Sequence, residues 1–229
     1  MLYKETVSPR TLGILKELMA EPSLGNFFLA GGTELALQIG HRISIDLDFF
    51  TVNDFDEDGM LEELERNYGF LVDYQQKNTL KGRIENVKVD FIAHQYPLLS
   101  PLIDDEGVRM CSLKDIAAMK LNAIVGNGTR IKDYIDVAYL SSSMSASEAF
   151  DSYSGKYANR NPLMAIKSLI YHQDIDFSEP IEVIEKNYSW EFITKRLDEM
   201  MAEPEKVFSA LSFGRKDDHS KIIKSRSRR

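Results

Sequence analysis

Residues 45–49, Ile-Asp-Leu-Asp-Phe, alternate apolar and acidic side chains with period two, which fits a β-strand and no helix. Ile45, Leu47 and Phe49 are then expected to face a core, with Asp46 and Asp48 side by side on the opposite face. Two adjacent carboxylates on a strand repel each other, and acidic residues are poor strand formers. The arrangement is costly unless a divalent cation sits between them. Mg²⁺ (or Mn²⁺) suits such hard oxygen ligands, taking one or two carboxylates and filling its shell with water and substrate phosphate. A merely solvated strand face is the competing account. The single Cys111, and four His residues with no ligand-pair spacing, leave carboxylates as the main donors for any metal.

Two further elements share this chemistry. In FFLAGGTELAL a short apolar strand runs into Gly31-Gly32-Thr33 and then a helix. Glycines there permit a sharp turn and a close approach to backbone N–H groups at a helix N-terminus, a setting suited to phosphate. A purely structural Gly-Gly turn is the alternative. In Val87-Lys88-Val89-Asp90-Phe91, Val87, Val89 and Phe91 share one face and Asp90 projects from the other, on what is read as a neighbouring strand.

Up to about residue 108, strand patterns alternate with helical ones. Helices are expected over 8–19, 33–40 and 56–68, and strands over 26–30, 44–50, 70–76, 79–84 and 87–94. Past Ser112 the periodic segments read as helices, at 112–126, 130–141, 145–153, 160–171 and 190–201. The expected fold is α+β: a mixed sheet with flanking helices over 1–108, then a helical lobe over 109–213. Residues 214–229 form a basic tail. Of the 229 residues, 43% are hydrophobic and 28% charged, which excludes a disordered chain. The net charge of −8 hides an asymmetry, since residues 215–229 carry seven Lys/Arg against two Asp. That tail reads either as a solvated end or as a phosphate-seeking arm. No apolar run approaches the roughly 18 residues that cross a bilayer, and MLYKETVSPR lacks the pattern of a signal peptide. A cytoplasmic protein with no membrane partner is expected.

The Gly-Gly-Thr turn, the D-x-D strand and the lone strand Asp resemble the signature of the nucleotidyltransferase superfamily related to DNA polymerase β. More specifically, LAGGTELALQIGHRISIDLDFF, SLKDIAAMKLNAI and RIKDYIDVAYL, within about residues 25–141, resemble the AbiEii/AbiGii branch, toxins of type IV toxin–antitoxin and abortive-infection systems. The resemblance implies transfer of a nucleotide from an NTP to an acceptor hydroxyl, in some members on tRNA, and a neutralising antitoxin as partner. It assigns Gly31, Gly32 and Thr33 to the triphosphate and Asp46, Asp48 and Asp90 to the metal ions and catalysis. Thr33 stands where many members have Ser, and both supply a hydroxyl. A catalytically silent nucleotide- or partner-binding module, and a protein-modifying nucleotidyl or phosphoryl transferase, are the rival readings.

The helical lobe adds candidates. Ser112 and Asp115 suggest a capping box opening a helix whose stripe of Leu113, Ile116, Ala117, Ala123 and Ile124 surrounds Lys120. A buried, unpaired ammonium costs several kcal/mol, so Lys120 must meet an anion or reach an edge. It is either a structural ion-pair partner or, as the resemblance implies, a catalytic and nucleotide-binding group. Asp133 and Asp136, three apart on the next helix, either form a solvated face with Lys132 pairing Asp136, or contact Lys120 or the site. Arg42, with its fork of donors, and less so His41, are candidates for triphosphate oxygens. The pairs Phe27-Phe28 and Phe49-Phe50 read as core.

Overall fold

A computed structural model describes residues 1–185 and 188–211. The basic tail expected over 214–229 lies outside the described residues. Ser8 accepts a hydrogen bond from the Thr11 amide and, with Pro9 behind it, starts helix α1 (Pro9–Ala20). There follow β1 (Phe28–Ala30), α2 (Gly31–Ile39), β2 (Leu47–Thr51), α3 (Glu57–Tyr68), β3 (Leu71–Gln76), β4 (Thr79–Ile84) and β5 (Val87–Ala93). A hairpin of β6 (Ile103–Asp105) and β7 (Val108–Met110) precedes α4 (Leu113–Gly126), α5 (Ile131–Leu140), α6 (Ala146–Lys156), α7 (Pro162–Leu169) and α8 (Trp190–Ala202). The expected mixed sheet with flanking helices, followed by helices, is what the chain forms.

The seven strands lie in the order β3-β4-β5-β2-β1-β7-β6. β2 is antiparallel to β1 and parallel to β5, and β1 is parallel to β7. Period-two alternation sends neighbouring residues to different cores. Leu29, Leu47, Phe49, Val89 and Phe91 pack with Leu15 and Leu18 of α1 and Leu64 of α3. Phe28 and Ala30 join the other cluster, with Ile116 and Leu121 of α4 and Tyr134 and Ile135 of α5. Asp48 and Asp90 therefore face the helices past residue 112.

Two expectations change, and one element is added. The strand drawn over 44–50 begins at Leu47, so Ile45 precedes it and is 65% exposed, not in the core. Residues 41–43 instead pair with the segment leading to α8: the Ile43 amide donates to the Glu182 carbonyl (2.8 Å) and the Ile184 amide to the His41 carbonyl (3.0 Å). The β6–β7 hairpin is invisible to an alternation argument, because each strand has three residues and carries charges. Its loop is Glu106-Gly107, both at positive φ, the conformation that a tight two-residue hairpin loop requires. Finally, Phe27, Phe28 and Phe49 are buried as expected, but Phe50 is only half-buried.

Glu34, in the first turn of α2, is fully buried and joins this helix to the β7–α4 junction. Its carboxyl group accepts the Cys111 amide, the Cys111 thiol (3.1 Å) and the Gln38 amide (3.4 Å). Burial pushes this carboxyl well above its ordinary value, against the opposing hydrogen bonds from Cys111. The neutral form is thus favoured in the fold. Its stabilisation is full below the unfolded value and is lost as pH rises toward the folded one. Glu34→Gln keeps the shape without the charge. In urea titrations it should lie within about 1 kcal/mol of the parent at pH 4 and gain on it steadily as pH rises to 8. Glu34→Ala should lose about 2–4 kcal/mol throughout.

Candidate active site

Strand register assembles the site. Ala30 of β1 lies opposite Asp48 of β2, and Asp48 lies beside Asp90 of β5. Immediately after Ala30 the chain turns at Gly31, with φ of 76°, into α2. A Cβ on Gly31 would lie 2.5 Å from Asp48 Oδ2, so the glycine lets the carboxylate rest against bare backbone. A Cβ on Gly32 would strike the Arg42 guanidinium. Gly31, Gly32, Asp46, Asp48, Asp90, Lys120 and Asp133 line one cavity of about 350 Å³, between the sheet and α4. Seven of the eleven site candidates singled out in the sequence thus share it.

Thr33, His41, Arg42 and Asp136 do not line this cavity. Thr33 is buried, and its hydroxyl lies against the Ser44 hydroxyl (2.8 Å) and the Asp46 carbonyl. It pins the approach to β2 against α2. Arg42 commits its donors to Asp136 Oδ1 (2.7 Å), Asp136 Oδ2 (3.0 Å) and the Ile43 carbonyl (3.1 Å). It borders a second hollow of about 280 Å³ that meets the first at Asp46.

Asp136 is the hub behind the site. Besides the Arg42 fork it holds His41 Nε2 at 2.7 Å and Lys120 Nζ at 2.6 Å, and it is wholly buried. Lys120 Nζ also reaches Asp133 Oδ1 at 2.9 Å. The solvated face with a Lys132–Asp136 pair is therefore overturned: Asp133 and Asp136 point inward, and Lys132 pairs with Glu179 (2.6 Å). Burial drives Asp136 upward, but the Arg42 and Lys120 charges and the hydrogen bonds from His41 and Arg42 outweigh it, holding the carboxyl well below its ordinary value. Lys120 shows the mirror image. Burial lowers its ammonium, Asp133 and Asp136 overcome that, and the net shift is upward. His41 is lowered, chiefly by burial, so it stays neutral and donates through Nε2.

The acids themselves are less settled electrostatically. Burial raises Asp48, and the neighbouring Asp90 charge raises it further. Asp90 is 2% exposed; its Oδ2 meets Lys81 and Lys88, each at 3.1 Å, while its Oδ1 is buried with no hydrogen-bond partner among the described residues. Among the described residues no three His, Cys, Asp or Glu side chains converge closely enough to enclose an ion. The donor chemistry nonetheless fits a divalent cation of the kind that takes few protein ligands. Hard carboxylate oxygens share one cavity, one is repelled by its neighbour, and one presents an unpartnered oxygen.

Sequence reasoning missed Lys81, Lys88 and an aromatic wall. Phe50 stacks on His94 with ring centroids 5.2 Å apart, and His94 Nε2 lies 3.0 Å from the Tyr157 hydroxyl of the α6 C-terminus. Burial, then the Lys156 charge, lower His94 to about 4, so it is neutral above that pH. Lys88 was legible, being two residues from Asp90 on one strand face. The aromatic wall was not, because its members are far apart in sequence. The Ser112 hydroxyl caps α4 as expected, accepting from the Asp115 amide. The Asp115 carboxylate turns instead to Lys156 (2.8 Å), the Leu99 amide (3.0 Å) and the Ser112 hydroxyl (2.7 Å).

Lys120 is both an ion-pair partner and a cavity group, which changes what its removal does. Among the described residues Lys120→Met leaves Asp133 with only the distant Arg130 (3.7 Å), so stability should fall by about 3–5 kcal/mol. Adding Asp133→Asn should recover at least about 1 kcal/mol of that loss, measured as a double-mutant cycle in urea. Additive losses would show that the pair is not coupled. Gly32→Val should likewise do more than obstruct the cavity. It displaces the Arg42 guanidinium, so a loss of about 2 kcal/mol in stability is expected, together with at least tenfold weaker NTP binding by calorimetry.

The family described as "Nucleotidyl transferase AbiEii toxin, Type IV TA system" matches residues 13–203. An uncharacterised protein of Aquifex aeolicus, aq_aa25, is 32% identical over 166 residues, covering 70% of this chain and 80% of its own. A solved structure of a candidate nucleotidyltransferase from H. pylori superposes with a TM-score of 0.53 at 17% identity, covering 86% of this chain and 96% of that one. At that identity the likeness concerns the fold.

Proposed function

This chain belongs to the AbiEii nucleotidyltransferase toxin family, and from that premise we propose that it moves a nucleoside monophosphate from an NTP to a hydroxyl of tRNA or another RNA, with Mg²⁺ (or Mn²⁺) in attendance. The observation that carries this reading is the register Ala30–Asp48–Asp90. It brings the Gly-Gly turn and two acids from adjacent strands to the same cavity. The acceptor oxygen attacks the α-phosphorus, a new O–P bond forms, the bond to the β-phosphate oxygen breaks, and pyrophosphate leaves.

Each residue has a part. The amides of the Gly31-Gly32 turn receive the triphosphate at the N-terminus of α2. Asp46, Asp48 and Asp90 would hold the divalent cation. Bound there, it supplies a Lewis acid that neutralises phosphate charge and favours the deprotonated acceptor. Asp90, whose Oδ1 has no hydrogen-bond partner among the described residues, would take the hydroxyl proton. Lys120 puts a positive charge into the cavity, fixed by Asp133 and Asp136, where negative charge builds on the transferring phosphate. Thr33, His41 and Arg42 position these groups from behind the wall. In this reading the α/β lobe over 1–108 and the helices that follow it form the two walls of the substrate site, and an antitoxin of the type IV arrangement restrains the activity. The work takes place in the cytoplasm, and no helix among the described residues is long and apolar enough to cross a membrane.

The test is incubation of the protein with Mg²⁺, total RNA, lysate protein and each α-³²P-labelled NTP in turn. The expected outcome is label in RNA from one or few NTPs, falling at least ~10³-fold in Asp48→Asn while the fold and its melting temperature hold. Label in protein instead would assign a protein-modifying transferase. No label in any polymer would leave a silent nucleotide- or partner-binding module.

A further inference from the structure

Lys81 and Lys88 belong to no element of the resemblance, yet both line the cavity. Lys81, on β4, is the direct cross-strand partner of Asp90 on β5. Lys88 precedes Asp90 by two residues and shares its face. Both ammoniums lie 3.1 Å from the same oxygen, Asp90 Oδ2, although a single cation would satisfy it. Their side chains are 37% and 50% exposed, so each can swing toward solvent, which the buried Lys120 cannot.

The order of the strands gives the pair a direction. Across the sheet the order runs from Lys81 on β4, to Lys88 and Asp90 on β5, to Asp48 on β2, to Ala30 at the end of β1, which leads into the Gly-Gly turn at the start of α2. In phosphoryl-type transfer the attacking and leaving oxygens lie roughly in line through phosphorus. With the triphosphate on the Gly-Gly turn, pyrophosphate departs toward β1, and the attacking hydroxyl must arrive from the β5 and β4 side. That is where the two lysines stand. A divalent cation on the acids would compete with both for Asp90 and leave two ammoniums at the mouth with no carboxylate of their own.

We propose that Lys81 and Lys88 form the acceptor-side clamp, binding a backbone phosphate of the incoming RNA next to the hydroxyl that attacks. The inference rests on the nucleotidyl transfer reading and deepens it. A hydroxyl on a protein side chain brings no adjoining phosphate, whereas a polynucleotide end always does, and so the pair favours the polynucleotide. The clamp is also local, for the chain as a whole is acidic at −8. Attraction of RNA then comes from local basic groups such as these and not from the general field.

The test uses the full chain with Mg²⁺, a non-hydrolysable NTP analogue and a fluorescent single-stranded 12-nucleotide RNA followed by anisotropy. For Lys81→Gln/Lys88→Gln the RNA dissociation constant should rise at least tenfold at 0.1 M salt. The salt dependence should flatten by about 0.7 in log–log slope for each lysine removed. Affinity for the NTP analogue should stay within twofold by calorimetry, and Lys81→Arg/Lys88→Arg should recover RNA binding. The single Gln variants, each checked by circular dichroism, guard against a double variant that fails to fold. Unchanged RNA affinity in folded variants would overturn the clamp and leave the lysines as supports of Asp90. Weakened NTP binding with unchanged RNA binding would move them to the donor side and equally overturn it. The underlying reading fails separately, in the parent protein: label transferred to no polymer, or only to protein, defeats RNA transfer before any lysine is changed.

Discussion

A single buried carboxylate, that of Asp136, ties the two halves of the chain together. It receives His41 and Arg42 from the approach to β2 and Lys120 from α4, and its own helix α5 also carries Asp133 to the same ammonium. With His41 neutral, the cluster contains two cations, Arg42 and Lys120, against two anions, Asp133 and Asp136. Burying any one of these charges alone would cost several kcal/mol, comparable to the stability of a whole domain. Together they are tolerated, because each finds an opposite charge within hydrogen-bonding distance. The consequence for function is geometric: Lys120 cannot leave its two acids, so it remains on the cavity wall whether or not a substrate is present.

The contrast with the acids on the sheet is instructive. Asp136 is held firmly ionised by its partners, whereas Asp48 is pushed the other way by burial and by Asp90. One set of charges is paired within the protein and buried, and serves as a frame; in the other Asp48 is repelled by Asp90, which leaves these acids ready for a cation and phosphates. Gly31 and Gly32 complete the division. Gly31 lets Asp48 touch backbone, and Gly32 leaves room for the Arg42 guanidinium, so the same turn contacts both the frame and the reactive acids.

Much of this was legible in the chain itself, and the reasons are local. Period-two alternation around Asp48 and Asp90 named the strands and the faces, and the 3.6-residue stripe of α4 placed Lys120 among apolar neighbours. What escaped was set by long-range pairing. Ile45 reads as a core residue in isolation, but residues 41–43 bond to 182–184, which no periodicity reports, and the strand starts only at Leu47. Arg42 reads as a phosphate ligand by its chemistry; its commitment to Asp136 depends on a helix 94 residues away. The three-residue strands of the β6–β7 hairpin are too short for alternation to register. Lys81 was overlooked because its relation to Asp90 is a cross-strand one.

The central claim is that the charge on Asp136, and not its shape, holds the frame together. Urea denaturation of Asp136→Asn against the parent protein at pH 7 tests it most directly. Asparagine fills the same space but leaves Arg42 and Lys120 with one buried anion between them, and the account predicts a loss of about 3–5 kcal/mol. A variant within about 1 kcal/mol of the parent would show that the buried charges are not what joins the sheet to the helices, and would contradict the account.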